Sequence, residues 1–338
     1  VERGAAAPGL WYEKAAPGDR RLGKVVTIAK SKKFRDNHGK VLLEGHRLIK
    51  DALQAGAVPQ TLFFSTVGHL KLLPEAEIKR ASLVKVKFED IKTWSDLVTP
   101  QGLLGIFSKP DPAKMSYPVA QLTHSLPLLL ICDNIRDPGN LGTILRSAAG
   151  AGCEKVLLTK GCVDPWEPKV LRAGMGAHFR VPIIANLDWE SVPTNLPAGT
   201  QVCVADNNDA DAPAGTASLL RGAGSAPESP KAPTKSISKA PENKDEEGAA
   251  GIPELAVQHY YEDWAQTPVA VVIGGETHGL SPAALRLAAS TGGRRLVIPV
   301  VPGMDSLNSA IAAGIVLFEG KRQLLWRHKR EDDRQKLP

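Results

Sequence analysis

Residues 126–159, LPLLLICDNIRDPGNLGTILRSAAGAGCEKVLLT, carry the reading that decides the fold class. Leu126–Ile131 is a short apolar run, the kind of strand a parallel sheet buries on both faces. Asp137-Pro138-Gly139-Asn140 follows as a turn, with Asn140 or Gly142 placed to open a helix. Lys155–Leu158 is the next strand, so the stretch is a strand–helix–strand unit. Further strands are expected at Val181–Ile184, Gln201–Ala205, Val269–Ile273 and Arg295–Ile298. Helices are expected chiefly after Asn140, after Ser281 and after Asp305. Gly150 and Gly152 follow the first helix, whereas a dinucleotide-binding GxGxxG loop precedes its helix. They read as helix-stop and turn residues, which disfavours a Rossmann cofactor site.

Upstream lies a smaller α/β pattern, residues 25–108. It has a strand at Val41–Leu43, then a helix with apolar Leu48, Ile49, Ala52 and Leu53 at spacings of three and four, ended by Gly56. QTLFFS, SLVKVKF and GLLGIFS supply further strands, with a helix through Ile91, Trp94 and Leu97 between the last two. Residues 109–125, with three prolines, read as a linker to the larger domain, residues 126–330. Within that domain, 25 of the 46 residues from 207 to 252 are Ala, Gly, Pro or Ser, and none is aromatic. So little apolar surface cannot offset the entropy of ordering, and the segment is expected to be a disordered insert. Residues 1–24 read as a basic flexible tail and residues 331–338 as a second tail.

A chain of 338 residues, 43% apolar and 23% charged, has globular composition, which excludes a wholly disordered or fibrous protein. No apolar run approaches ~18 residues, so no membrane span is expected. Residues 1–50 and 321–338 together carry a net charge of +11, against +6 for the whole chain. Basic ends suggest contact with a polyanion, although solvated tails would look the same. Cys132, Cys153, Cys162 and Cys203 form no CxxC pair and none sits at zinc spacing to a His, so no metal site is expected. Four thiols in a chain this long fit a reducing compartment. The opening residues have no apolar core of a secretory signal.

Three segments could carry chemistry, each leading from a strand end into a helix, where open α/β sheets bind ligands. The first, Asp133 to Gly152, holds Asn140 and Arg146. Taken singly, the one is a helix cap and the other an exposed helical arginine. The second, VVIGGETHGLSP from Val271 to Pro282, holds Gly274 and Gly275, which allow close backbone approach, and Glu276, its one carboxylate. Ser281-Pro282 fits an N-cap and first helical position, and His278 reads as polar lining. The third, Ile298 to Gln323, runs through a Pro/Gly loop to Ser306, Leu307 and Asn308. Asp305 or Ser306 could simply cap the helix that follows.

In this order the three segments resemble the motifs of the SpoU (TrmH-type) RNA ribose 2′-O-methyltransferases, within the SPOUT superfamily. FRDNHGKVLLEG and TPQGLLGIF are similar to that family's small RNA-binding domain. The resemblance covers about Lys30 to Trp326 outside the insert, and is greatest to the vertebrate mitochondrial large-subunit rRNA branch. Three positions depart from the family pattern: Gly303 is displaced by one, Gly174 replaces a Ser, and Ser309 stands where Val is frequent.

The resemblance implies a small N-terminal α/β RNA-binding domain and a C-terminal SPOUT α/β domain with a trefoil knot. It implies S-adenosylmethionine as cofactor, no metal, a homodimer without membrane attachment, and residence in the mitochondrial matrix. The implied activity is 2′-O-methylation of a guanosine in mitochondrial large-subunit rRNA during ribosome biogenesis. Alternatives are an inactive RNA-binding assembly factor of the same fold and a tRNA 2′-O-methyltransferase; intact Asn140, Arg146, Glu276, Ser306 and Asn308 argue against the inactive factor. Carried over by position, Gly274, Ile298 and Leu307 hold the cofactor, and Arg146 is the catalytic arginine. Asn140, Glu276, Ser306 and Asn308 surround it, with Glu276 expected to orient Arg146 or Asn140. A guanidinium, which holds its proton far above neutral pH, is better suited to stabilising the developing alkoxide than to acting as a base.

Overall fold

The computed structural model describes residues 1–94, 101–206, 251–266, 268–277 and 279–336. The first lobe opens with a hairpin, β1 (Arg3–Ala7) and β2 (Leu10–Lys14), followed by α1 (Arg20–Lys30) and α2 (Lys32–His38). Then come β3 (Lys40–Glu44), α3 (His46–Gln54), β4 (Pro59–Phe64) and two single-turn helices, α4 (Gly68–Lys71) and α5 (Glu75–Ile78). β5 (Ser82–Lys85), α6 (Phe88–Trp94) and β6 (Leu103–Ser108) complete it. Its six strands form a mixed sheet in the order β1-β2-β5-β4-β6-β3.

The expected tail over residues 1–24 is therefore a hairpin on the sheet edge and the start of a helix. β2 adds to the sheet in parallel with β5, pairing Glu13 with Val84, while Leu10 is buried and Tyr12 packs edge-on to Phe64 at 5.4 Å. The charges of this segment are largely spent internally. Lys14 pairs with Glu2, and Arg21 pairs with Asp19 at 2.7 Å and Glu13 at 3.0 Å. The connection over residues 109–125 contains a 3₁₀ turn at Pro112–Lys114 and the short helix α7 (Val119–Thr123).

The second lobe runs β7 (Leu126–Asp133), α8 (Pro138–Ala151), β8 (Cys153–Thr159), α9 (Pro168–Gly174), β9 (Ile183–Leu187) and β10 (Gln201–Ala205). Beyond residue 250 come β11 (Val257–His259), β12 (Val269–Gly274), α10 (Pro282–Ser290), β13 (Arg295–Val297) and α11 (Ser309–Gln335). The seven strands form a sheet ordered β11-β13-β10-β12-β7-β8-β9, with every pairing parallel. Side chains alternate across it: Leu128, Leu130 and Cys132 join the core beneath α8 and α11, whereas Leu129 and Ile131 join the core beneath α10. Burial on both faces explains why β7 is apolar throughout rather than at alternate positions.

Several expectations shift in this lobe. Asp137, not Asn140 or Gly142, caps α8, accepting from Asn140 N–H at 2.8 Å with Pro138 in the first turn. Gly142 instead lets α8 approach α9, since a Cβ there would stand 2.5 Å from Val170 O. Gly152 ends α8 in the left-handed conformation. Asn308, rather than Asp305 or Ser306, caps α11, accepting from Ala310 N–H at 2.9 Å and Ile311 N–H at 3.2 Å. That helix continues to Gln335, so most of the expected tail at 331–338 is its last turns. β9 begins at Ile183 instead of Val181, and the three-residue β11 was not foreseen. Residues 207–250 of the expected insert lie outside the described residues, as do Leu97 and His278.

The lobes share a core. Trp166, Leu171 and Phe179 of the second pack with Leu43, Ile49 and Phe64 of the first. Beside them Arg35 and Asp164, 129 positions apart, form an ion pair with side chains 3% and 5% exposed. Arg35 also donates to the carbonyls of Ile28 and Ala29, and Asp164 accepts from Trp166 N–H.

Candidate active site

In the sheet, the chain steps outward from β7 to β8 and β9 on one side, and β10 to β13 occupy the other. Ligands bind at such a switch point, outside the carboxyl ends of the strands. A cavity of about 510 Å³ lies there, within the ~300–1,000 Å³ range usual for small-molecule sites. Gly274, Glu276, Ile298, Ser306 and Leu307 line it, bringing together residues of the second and third segments. Asp206, at the end of β10, lines it as well. Nothing marked Asp206 in advance, because its place depends on β10 lying between β12 and β13.

Backbone builds much of this wall. A Cβ on Gly274 would stand 2.7 Å from Gly279 O, and one on Gly275 would stand 2.6 Å from Asn134 O. Gly275 N–H donates to Asp133 O, and the buried Asp133 carboxylate accepts from Ser281 N–H at 2.7 Å. Asp133 therefore fixes the loop between β12 and α10. A cradle of close-packed glycine backbone beside apolar Ile298 and Leu307 offers peptide groups to a planar base and apolar contact to its faces. These features fit an adenosyl group.

Asn140 and Asn308 do not line the cavity; Asn308 stands between the lining residues Leu307 and Ser309, and its Nδ2 donates to Asn140 Oδ1 at 3.0 Å, joining the first and third segments. Glu276 Oε1 accepts from Ser309 N–H at 3.1 Å, a carboxylate at the positive end of α11. Glu276 thus bonds to the start of α11, and Asn308 takes the expected role of positioning Asn140. Arg146 does not line this cavity. It projects from the exposed side of α8 into a second cavity with Arg47, Arg180 and Lys321. Among the described residues no group of three or more His, Cys, Asp or Glu could hold a metal, and no helix is long and apolar enough to cross a membrane.

Comparison with known proteins agrees with this architecture. Residues 127–219 match the SpoU rRNA methylase family, and residues 24–105 match the MRM3-like substrate binding domain. The human protein named mitochondrial rRNA methyltransferase 3 is 61% identical over 332 residues, covering 96% of this chain and 78% of its own. The Bacillus subtilis 23S rRNA (guanosine(2553)-2′-O)-methyltransferase RlmP is 29% identical over 154 residues, 46% of this chain and 57% of its own. The crystal structure of an AdoMet-bound rRNA methyltransferase from Sinorhizobium meliloti superposes with a TM-score of 0.65 at 26% identity, covering 93% of this chain and 98% of that one. Fold, cavity and these likenesses define an S-adenosylmethionine-dependent RNA methyltransferase. The chain belongs to the SpoU rRNA methylase family.

Proposed function

We propose that the protein methylates the ribose 2′-hydroxyl of a guanosine in mitochondrial large-subunit rRNA, acting in the matrix during ribosome biogenesis. The observation that carries this reading is the glycine-walled cavity at the strand ends of the parallel sheet, whose lining residues Leu307 and Ser309 flank the Asn308 that bonds Asn140. The names of the human and Bacillus relatives support the rRNA, the guanosine and the 2′-oxygen. When bound, S-adenosylmethionine supplies an activated methyl group on its sulfonium.

Gly274, Ile298 and Leu307 hold the adenosyl end, Asn140 and Asn308 orient the ribose, and Glu276 and Ser306 keep the mouth in shape. Arg146 stabilises the negative charge that grows on the 2′-oxygen as its proton departs. The return of α11 to the loop after β12, secured by Ser309 N–H on Glu276, is the place where we infer the chain closes a trefoil knot.

Arg146 lies apart from its own cavity, which supports assembly as a homodimer. Ile311, Phe318 and Leu325 recur every seven residues along α11 and are 56%, 47% and 49% exposed. Phe318 lies over Gly150, one turn beyond Arg146. Pairing through this face covers the apolar stripe and carries Arg146 toward a second protomer's cavity. S-adenosylmethionine should raise the melting temperature while NAD should not. A rise with NAD alone would overturn the cofactor assignment. A fully active monomer in sedimentation at micromolar concentration would overturn the dimer.

A further inference from the structure

We propose that the groove between the lobes binds a single strand of the substrate RNA, with phosphates in a cationic half and an unstacked base in an apolar half. This deepens the function proposed above and rests on it. The cationic half is the cavity of about 490 Å³ that gathers Arg47 of α3, Arg146 of α8, Arg180 and Lys321 of α11. Four cations come here from both lobes, and Asp51 is the one carboxylate in the lining.

Among the described residues, none of these four cations forms an ion pair, although Arg21, Arg35, Arg322 and Arg327 all do. Two of the four are nevertheless held in place by neutral partners. Arg180 Nε donates to Gln121 Oε1 at 3.1 Å, and Lys321 Nζ donates to Gly150 O at 3.4 Å. Positioned cations without counter-charge raise the local potential and favour an anion of several charges. A phosphodiester chain supplies such charges in sequence, and its binding releases condensed counterions.

The apolar half adjoins this cavity and shares Arg47, Asp51 and Met175 with it. It measures about 230 Å³, and Leu42, Leu48, Pro168, Leu171 and Met175 make its apolar wall beside the polar Glu44, Gln101 and Arg172. Met175 is 50% exposed and in the left-handed conformation at φ 49°, so a flexible thioether stands at the boundary of the two halves. Stacked duplex bases offer nothing to such a pocket. An unpaired base splayed from a single strand offers a flat apolar face, the usual target of sequence-specific RNA recognition. Phosphates on one side and an apolar slot on the other therefore fit a single strand better than a helix. An acidic peptide is the competing occupant, and it needs no slot for a base.

The test is fluorescence anisotropy on the full chain with an unstructured, labelled RNA about 12 nucleotides long, a length within the usual single-strand site range. The double variant Arg47→Ala/Lys321→Ala should flatten the plot of log affinity against log salt by about 1.4, roughly 0.7 per lost phosphate contact on a single strand. Arg286→Ala, an exposed cation on α10, serves as the control and should leave the slope unchanged. Met175→Ala should weaken binding of the oligonucleotide but not of its abasic counterpart. An unchanged slope in the double variant would overturn the cationic half. An equal loss on the abasic strand would overturn the base slot, and polyglutamate competing as well as RNA would assign the groove to acidic protein. Tritiated methyl transfer by the wild type is measured in parallel. Transfer to rRNA with unchanged slopes rejects the groove alone. Absence of transfer to any RNA rejects the proposed function, whatever the groove binds.

Discussion

The buried junction between the lobes and the exposed front face of α8 use the same residue types in opposite ways. At the junction, Arg35 is buried, paired with Asp164 and bonded to two carbonyls. On the front face, Arg146 is exposed and has no ion pair among the described residues. The junction's polar groups are spent on holding one lobe against the other. Those on the front face keep unspent bonding capacity, which an incoming substrate can use. A charged residue's role is thus better read from what remains unpaired than from its type. Variants of the junction should lose stability before chemistry, and variants of the front face chemistry before stability.

The largest effect should come from Arg35→Ala, which leaves Asp164 buried without its partner. Loss of one member of a buried pair costs about 3–5 kcal/mol. Urea denaturation should show that loss, while methyl transfer measured below the unfolding transition should change less than about two-fold. A stable variant with poor turnover would break the contrast.

Next is Arg146→Ala, expected to lower kcat by about 10²–10³, the usual cost of one charge-stabilising donor. Folding stability should stay within about 0.5 kcal/mol, as for ordinary surface changes. Cofactor affinity, read by calorimetry, should also hold. Arg146→Lys keeps the charge but loses the planar fork, so partial turnover separates charge stabilisation from a bidentate grip. Full turnover by the alanine variant would remove Arg146 from the mechanism.

The smallest effect belongs to His178, which is buried beside Trp166 at the junction. Its Nε2 donates to Pro165 O at 2.6 Å, and its Nδ1 is buried without a partner. Burial pushes its pKa down to about 4, from an ordinary value near 6.5. The folded protein therefore keeps this ring neutral while the unfolded chain protonates. Stability from this group is complete above about pH 6.5 and is lost as pH falls toward 4, by at most ~3 kcal/mol. His178→Gln should flatten the stability profile between those limits in denaturant titrations. Equal slopes in both proteins would show that His178 does not contribute.

The sequence made the second lobe's sheet readable because β7, β10 and β12 are buried on both faces and are therefore apolar throughout. Ser281-Pro282 was equally readable, since a cap and a first-turn proline are local chemistry. The hairpin of β1 and β2 was not, because it is ordered by pairing with β5, some seventy positions away. The choice of Asp137 over Asn140, and of Asn308 over Asp305, depended on where each helix actually starts. For the site, Gly274, Glu276, Ile298, Ser306 and Leu307 were readable as strand ends that could meet. The Asn140–Asn308 contact spans 168 positions, and the separation of Arg146 from the cavity depends on the packing of α8 against α11. No local pattern reports either one.

The central claim is methyl transfer to a ribose oxygen, and the position of the transferred methyl tests it most directly. The protein is incubated with tritiated S-adenosylmethionine and large-subunit rRNA, and the RNA is then hydrolysed in alkali. Alkaline cleavage needs a free 2′-hydroxyl, so 2′-O-methylation leaves an uncleaved bond on its 3′ side. The account predicts label in alkali-resistant dinucleotides with guanosine at the 5′ position, and none with Arg146→Ala at matched times. Label recovered entirely in single nucleotides would place the methyl on a base and contradict it.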